Sequence, residues 1–469
     1  MAEKKKTTKK NVEEQEIKRK KKSNKKKKLT KKQKRFIFTL IFLLIIAIVA
    51  FIFKDQIASF INNQSSDEKP SNEETIKVEG HTYDDLQFHF MELGVYETGD
   101  STYIKAGETD ILIDAGASSS SIPTLIAYIN NYCTDGKLEY VITTHAHADH
   151  YAGMFGKKQD GKNFKGEDIE YTGLMYYYEI ETIIDFSQSE KKLSEVSTGS
   201  DFYKYHQARD YAVSKGAKRY GADECFNKEN GASSTYILDE EKNITMDILY
   251  NKYYFNESSD ENDHSVCTMF NYNDHHFMLT GDLEKDGEEA LAAYYDGSTK
   301  EKTLPQVELF KAGHHGSATS SNECLLSLIQ PKICTVCCCA GSSEYTNNND
   351  TTFPTQAFID RISKYTDSVY VTSQLDNKAS REQGEQIFKP LNGTIIISSN
   401  GTQVGLAATN NLTKLKDSEW FNETIYVKQE TNSKDEIINK ICSGVKKKDY
   451  YLSTDEGVTA ITRRIWPNA

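Results

Sequence analysis

The chain has 469 residues, 27% of them charged, and a formal net charge of −12. The charge is uneven: residues 1–35 hold 16 Lys and 2 Arg against 4 Glu, a net of +14 that leaves −26 for residues 36–469. So acidic a remainder repels polyanions at long range and counts against tight, nonspecific DNA binding, which needs many Lys and Arg phosphate contacts. It does not exclude a phosphodiester substrate, because bound divalent ions reverse the local sign.

The length exceeds one average domain, and the first segments read as separate pieces. Residues 1–35 repel themselves and are expected to be disordered. Phe36 to Phe53 is an apolar run of 18 residues interrupted only by Thr39. As a helix it would span roughly 27 Å, close to the ~30 Å hydrocarbon core of a bilayer. Ala47 and Ala50 lie inside the run, so cleavage as a signal peptide is the second reading; an uncleaved single-pass anchor is preferred. Positive charge stays cytoplasmic, which puts the tail inside, against anionic lipid, and everything after Lys54 outside the cell. A nucleic-acid role for the tail is weaker, since no aromatic residue lies among the lysines. Residues 54–80, polar and marked by Pro70, are expected to be a stalk.

Beyond the stalk, strand-like and helix-like runs alternate, which supports an α/β class. Leu86 to Met91 alternates as a first strand, and Thr102–Ala106 with Asp110–Asp114 suggests a hairpin. His89, inside the first strand, is expected to be packed. Ser118–Ser121 followed by Pro123 opens a helix over Thr124–Tyr132. The apolar Tyr140-Val141-Ile142 then delivers the chain to Thr144-His145-Ala146-His147-Ala148-Asp149-His150. Four metal-liganding side chains within six residues, spaced by small alanines, suit zinc, manganese or iron. The competing reading, a solvated polar loop, fits a single His-x-His pair better than the whole string.

The stretch 156–260 reads as an insertion rich in Tyr and charge, with a helix over Asp201–Lys215 carrying an exposed His206. Its tyrosines are assigned to surface and core before substrate contact. His275 and His276 are expected on a hairpin loop. Phe277 to Gly281 is a strand ending at Asp282, and a helix follows over Glu288–Tyr295. Val307–Lys311 delivers His314-His315-Gly316-Ser317, where Gly316 and Ser317 could serve an oxyanion as well as the turn. Asn322 caps a helix to Ile329. Cys334, Cys337, Cys338 and Cys339 are read as a buried strand in preference to a soft-metal site. The nine cysteines form no disulfide framework. A helix over Phe353–Tyr365 and a closing hairpin around Asn400-Gly401 complete a domain over 81–405. Residues 406–469, with Trp420, a strand over Thr424–Val427 and a helix over Lys434–Cys442, are expected to be a C-terminal appendage.

In combination, His-x-His-x-Asp-His at 145–150, Asp114 after Ile111-Leu-Ile, Gly281-Asp282, and His314-His315-Gly-Ser317 resemble the metallo-β-lactamase superfamily. Gly99-Asp100-Ser101 and Asn262-Asp-His264-Ser265 are most similar to the extracytoplasmic hydrolase domain of ComEC-type competence proteins. The resemblance covers roughly residues 85–405. It implies a four-layer αβ/βα sandwich with two divalent metals, zinc first and manganese second, at one edge between two sheets. It also implies ligands: His145 and His147 on one metal, Asp149 and His150 with His314 or His315 on the other, and Asp282 bridging. Asp114 would orient a ligand histidine. A dinuclear centre would supply hydroxide near neutral pH to attack an ester.

Two departures stand out. The expected His-Pro downstream of His-His-Gly-Ser is Phe353-Pro354 here, which puts leaving-group protonation in doubt. The usual third-motif histidine is not evident; His264 is either that ligand or a turn residue before the strand from Val266. The expectation is a membrane-anchored extracellular phosphodiesterase or nuclease acting on DNA or RNA, single-stranded nucleic acid included. A separate channel protein would be its partner if it served DNA uptake. A hydrolase of teichoic-acid-type wall esters and a non-catalytic surface binder that keeps the fold are the alternatives.

Overall fold

In the computed structural model the chain divides into two units, Met1–Glu74 and Thr75–Ala469. The structure describes residues 78–342, 352–376, 379, 387–422 and 464–467, together with the backbone of three strands between 424 and 462. The basic tail, the apolar run 36–53, nearly all of the stalk and the helix expected over 434–442 lie outside the described residues. No helix among the described residues is long and apolar enough to cross a membrane.

Alternation in Leu86-Gln-Phe-His-Phe90 gives a strand whose Leu86, Phe88 and Phe90 face one way. It sits in a nine-stranded sheet ordered Glu79–Gly80, Val404–Ala408, Ile395–Ser399, Leu86–Phe90, Thr102–Ala106, Thr109–Ile113, Lys137–Thr143, Glu179–Asp185, Lys218–Gly221. The strands are antiparallel up to Thr109–Ile113 and parallel from there to the far edge. A second sheet of eight strands runs Thr235–Asp239, Ile244–Ile248, Thr268–Tyr272, His275–Leu279, Leu309–Lys311, Ile333–Ala340, Val369–Leu375, Phe388–Pro390. It passes from antiparallel to parallel at His275–Leu279 and returns to antiparallel at its last strand, Phe388–Pro390.

Three apolar cores define the layers. Leu86, Phe88 and Phe90 of the first sheet bury against Phe270, Phe277 and Leu309 of the second, and Phe88 stacks on Phe277 with centroids 4.7 Å apart. Burying one such ring is worth about 1.5–3 kcal/mol. On the outer face of the first sheet, Leu112, Val141 and Ile183 meet Leu125, Met154, Tyr205 and Ala208. These come from helices Ile122–Ile129, Ala148–Phe155 and Asp201–Ser214. On the outer face of the second, Met278, Phe310 and Val336 meet Leu291, Leu325 and Phe358, from helices Lys285–Tyr294, Glu323–Ile329 and Gln356–Ile362. The order is helix, sheet, sheet, helix: a sheet-rich mixed α/β fold.

Several boundaries differ from the sequence reading. The stretch 156–260 is not set apart, because it supplies two parallel strands to the first sheet and two antiparallel strands to the second. Strand Val404–Ala408 crosses the boundary placed at 405, and Glu79–Gly80, assigned to the stalk, pairs with its end. Trp420, Phe421 and Trp466 bury in the outer core of the second sheet, so part of the C-terminal segment belongs to this domain. The strand expected over Thr424–Val427 runs Thr424–Lys428. His275 and His276 begin a strand instead of lying on the turn, and His206 is half-buried against Phe202. The cysteine run lies buried on Ile333–Ala340.

Candidate metal centre

Parallel strands end on one side, and here four such ends meet. Thr109–Ile113 leads to Asp114, Lys137–Thr143 to His145, His275–Leu279 to Asp282, and Leu309–Lys311 to His314 and His315. The sheets touch where the Val266 N–H donates to the Thr144 carbonyl at 2.9 Å. Gly281 makes this approach feasible: its φ is +57°, and a Cβ there would lie 2.9 Å from the Thr144 side chain. At Gly99 a Cβ would meet the Asp149 carbonyl at 2.6 Å, so a side chain would push the His-x-His-x-Asp-His turn away. His314 and His315 both hold left-handed φ, +46° and +54°, a conformation that non-glycine residues adopt at a cost of about 1–3 kcal/mol each.

One ligand atom each from Asp149, His150, Asp282 and His315 falls within a mutual 4.8 Å. His150 Nε2 lies 3.0 Å from Asp282 Oδ2, and His315 Nε2 lies 3.2 Å from the same oxygen and 3.1 Å from Asp149 Oδ2. His145 packs beside them, its ring centroid 4.1 Å from that of His150 and its Nε2 3.0 Å from His147 Nδ1. Asp149 stands in the first turn of Ala148–Phe155, where the helix dipole favours a carboxylate.

The outer nitrogens are held as well. Asp114 Oδ2 accepts from His150 Nδ1 at 2.8 Å and from Thr144 Oγ1 at 2.8 Å, while its Oδ1 accepts from the Thr144 N–H at 2.9 Å. His315 Nδ1 faces the Cys337 carbonyl at 2.9 Å and Asp100 Oδ1 at 3.1 Å. His145 Nδ1 faces Thr144 Oγ1 at 3.1 Å. Each arrangement turns an Nε2 inward, as a ligand histidine requires.

Electrostatics follow from burial and proximity. Burial pushes the His145 imidazole well below its ordinary pKa, with His150 adding to it. Burial acts the same way on His150, but Asp282, Asp149 and Asp114 outweigh it and hold that ring well above the ordinary value. Asp282 and Asp100 do the same for His315. Against its own burial, Asp282 is held well below the usual carboxylate range by His150, His315 and His314. Asp282 Oδ1 is buried without a hydrogen-bond donor; Lys311 Nζ is 3.7 Å away. A buried carboxylate oxygen left so, beside converging imidazoles, fits divalent cations.

Other expected residues fall elsewhere. His314 points Nδ1 at Glu284 Oε1, 2.6 Å away, and its Nε2 stands 4.0 Å from Asp282 Oδ2, so His315 is the one that joins the Asp149–His150 group. His264 lies in a short turn, with Nδ1 3.2 Å from the Tyr253 carbonyl; the residue of its string that reaches the site is Ser265, whose Oγ lies 3.4 Å from His145 Nδ1. Ser317 Oγ accepts from the Ser320 and Thr319 N–H groups, which gives it the turn-forming role. Phe353 is buried with its ring 5.5 Å from that of His315 and 6.0 Å from that of His314, packing apolar surface against both.

The sequence reading assigned no role to Glu261, Asp100 or Lys311. The buried Glu261 accepts from the Ala146 N–H, between two candidate ligands, at 3.2 Å. Its other oxygen accepts from Ser189 Oγ at 2.8 Å and the Glu190 N–H at 3.0 Å. It thus ties residues 189–190 to the histidine loop. Lys311 is buried and ion-pairs with Asp100. Asp100 sits inside a string that carried the resemblance, and Lys311 ends the strand that delivers His314, which were the signals available for them.

A helix–sheet–sheet–helix domain with a histidine–aspartate cluster at one sheet edge defines a class of metal-site proteins. Residues 94–162 match the family model of the Metallo-beta-lactamase superfamily, the stretch that holds the His-x-His-x-Asp-His string. "Recombination protein 2" of Haemophilus influenzae is 28% identical over 113 residues, 24% of this chain and 12% of that protein. "Exodeoxyribonuclease WalJ" of Streptococcus pneumoniae is 33% identical over 70 residues, 15% of this chain and 25% of that protein. The chain therefore spans a quarter or less of the length of these relatives. Among solved structures, YhfI from Bacillus subtilis, a metallo-beta-lactamase fold protein, matches with a TM-score of 0.33 and 9% identity, covering 61% of this chain and 95% of that one. The short form of human tRNase Z matches with a TM-score of 0.30 and 12% identity, covering 67% of this chain and 98% of that one.

Proposed function

We propose that this domain is a metal-dependent hydrolase of phosphodiesters, with a nucleic-acid strand as its first substrate class. The observation that carries the reading is the convergence of Asp149, His150, Asp282 and His315 from different strand ends within 4.8 Å, with His145 and His147 alongside. His145, His147, Asp149, His150, Asp282 and His315 would hold two divalent ions, zinc or manganese. When bound, such ions supply a nucleophile at neutral pH and neutralise charge developing on the phosphoryl oxygens.

The protein's own residues do the rest. Asp114 fixes the His150 tautomer, and the Cys337 carbonyl and Asp100 fix that of His315. Phe353 excludes water from one side of His315. His314 takes up the proton transfer left open by the missing His-Pro. With Glu284 on Nδ1, its Nε2 would give a proton to the leaving oxygen. The anchor at residues 36–53, with the domain outside the cell, remains part of the proposal on the strength of the sequence.

The test is metal content of the full chain together with turnover of bis(p-nitrophenyl) phosphate in zinc and in manganese. Turnover lost in His147→Ala supports the reading. Two bound metals with no ester cleaved would overturn it in favour of a surface binder. A panel of single-stranded DNA against a poly(glycerol phosphate) wall polymer decides the substrate class.

A further inference from the structure

Behind the histidine loop lies a pocket of about 540 Å³ between the helices Ala148–Phe155 and Asp201–Ser214. Its volume falls in the range of small-ligand sites. Its cations are Lys157, Lys158 and Lys204, and Asp201 is its one carboxylate. Lys204 pairs with Asp201 at 2.8 Å and lies over the Phe155 ring at 5.4 Å. Lys157 and Lys158 are exposed and form no ion pair with any described residue. A net positive pocket is out of keeping with a chain that carries −26 beyond its first 35 residues. Its wall also holds Tyr171, partly exposed and stacked on Tyr176 with centroids 5.0 Å apart and planes 20° apart.

The pocket adjoins the candidate metal centre through two elements. Ala152 is three residues along the helix from Asp149, about 4.5 Å of rise. Ala117, on the opposite wall, abuts Gly99 together with the Asp149 carbonyl.

Resting on the phosphodiesterase reading, we infer that this pocket, whose Lys157 and Lys158 follow a helix end about 9 Å of rise beyond Asp149, is a subsite for a nucleotide one or two positions from the scissile bond. Lys157 and Lys158 meet its phosphate, and Tyr171 offers a face to its base. Ammonium groups beside aromatic faces are the chemistry by which single strands are held without sequence preference.

The test uses the full chain loaded with zinc and a fluorescein-labelled hexathymidylate with phosphorothioate linkages, followed by anisotropy. Lys157→Gln/Lys158→Gln is expected to weaken binding about tenfold and to flatten the dependence of log K on log salt by about 1.4. Tyr171→Ala is expected to weaken it severalfold. Lys162→Gln/Lys165→Gln, the same charge change at the far end of the hairpin whose base pairs Lys158 with Tyr171, is the control and is expected to bind as wild type. Equal affinity in wild type and Lys157→Gln/Lys158→Gln, or an equal loss in the control, overturns the subsite. Binding of a glycerol phosphate hexamer as tightly as the oligonucleotide, unaffected by Tyr171→Ala, overturns the nucleotide assignment. Turnover of bis(p-nitrophenyl) phosphate reports separately on the hydrolase reading: lysine-dependent binding without that turnover would sink the hydrolase and leave the pocket standing.

Discussion

Asp114→Asn isolates one link between fold and metal affinity. Asp114 has φ +58°, a region that Asn tolerates better than most residues, so the backbone survives the change. In the wild type Oδ1 takes the Thr144 N–H, while Oδ2 takes both Thr144 Oγ1 and His150 Nδ1. An amide has one oxygen. If it stays on the Thr144 N–H, its NH2 confronts His150 Nδ1. The Thr144 hydroxyl can rotate to accept, but the imidazole can relieve the clash only by moving its proton to Nε2, the nitrogen aimed at Asp282. If the amide flips, the Thr144 N–H loses its acceptor. Either way a buried donor is orphaned or a ligand lone pair is lost. Removing such a supporting partner typically costs 10–100-fold in metal affinity, about 1.4–2.7 kcal/mol. Competition with a chromogenic zinc chelator measures this directly, and circular dichroism confirms the fold. An unchanged dissociation constant in a folded variant would refute the argument that Asp114 sets the His150 tautomer.

Three further outcomes are expected. Glu261→Ala removes the acceptor of three donors around the histidine loop; metal affinity should fall about tenfold and cleavage by protease near residues 189–190 should rise, and neither changing would dismiss the tie. His314→Gln should slow hydrolysis of esters with poor leaving groups by about 10²-fold or more yet barely affect p-nitrophenyl esters, whose leaving group needs no proton; equal losses on both would dismiss the acid role. His89 is buried between Tyr128 and Gln87, and burial brings its pKa down from 6.5 to about 3. The unfolded chain therefore takes the proton first, so stability is lost as pH falls from 6.5 toward 3, by up to about 5 kcal/mol. Urea midpoints between pH 8 and 4 should fall less steeply in His89→Gln, and parallel slopes would contradict this.

Short-range chemistry was legible in the sequence. The His145–His150 string, Asp282 and His315 each end a strand that its own apolar pattern announces, and Asp114 follows one too. Contacts between distant segments were not legible. Glu261 reaches Ala146 across 115 residues and His315 reaches Asp149 across 166, so no local pattern could choose His315 over His314 or mark Glu261 as a tie. His264 was ambiguous because a histidine before a strand serves a turn as well as a metal; it ends a short turn with Nδ1 facing the Tyr253 carbonyl. Residues 156–260 looked like an insertion because charge and tyrosine conceal its short strands, two of which, Lys218–Gly221 and Thr235–Asp239, lie at sheet edges where exposed faces need no apolar alternation. The outer packing of Trp420 and Trp466 was hidden for the same long-range reason.

Asp282 is the carboxylate that would hold divalent cations where the two sheets meet. Elemental analysis of the full chain after dialysis against buffered zinc tests it most directly, wild type beside Asp282→Asn. Two ions per wild-type chain and no more than one in the variant are expected. A wild type that retains no metal, or a variant that retains as much, would contradict the account.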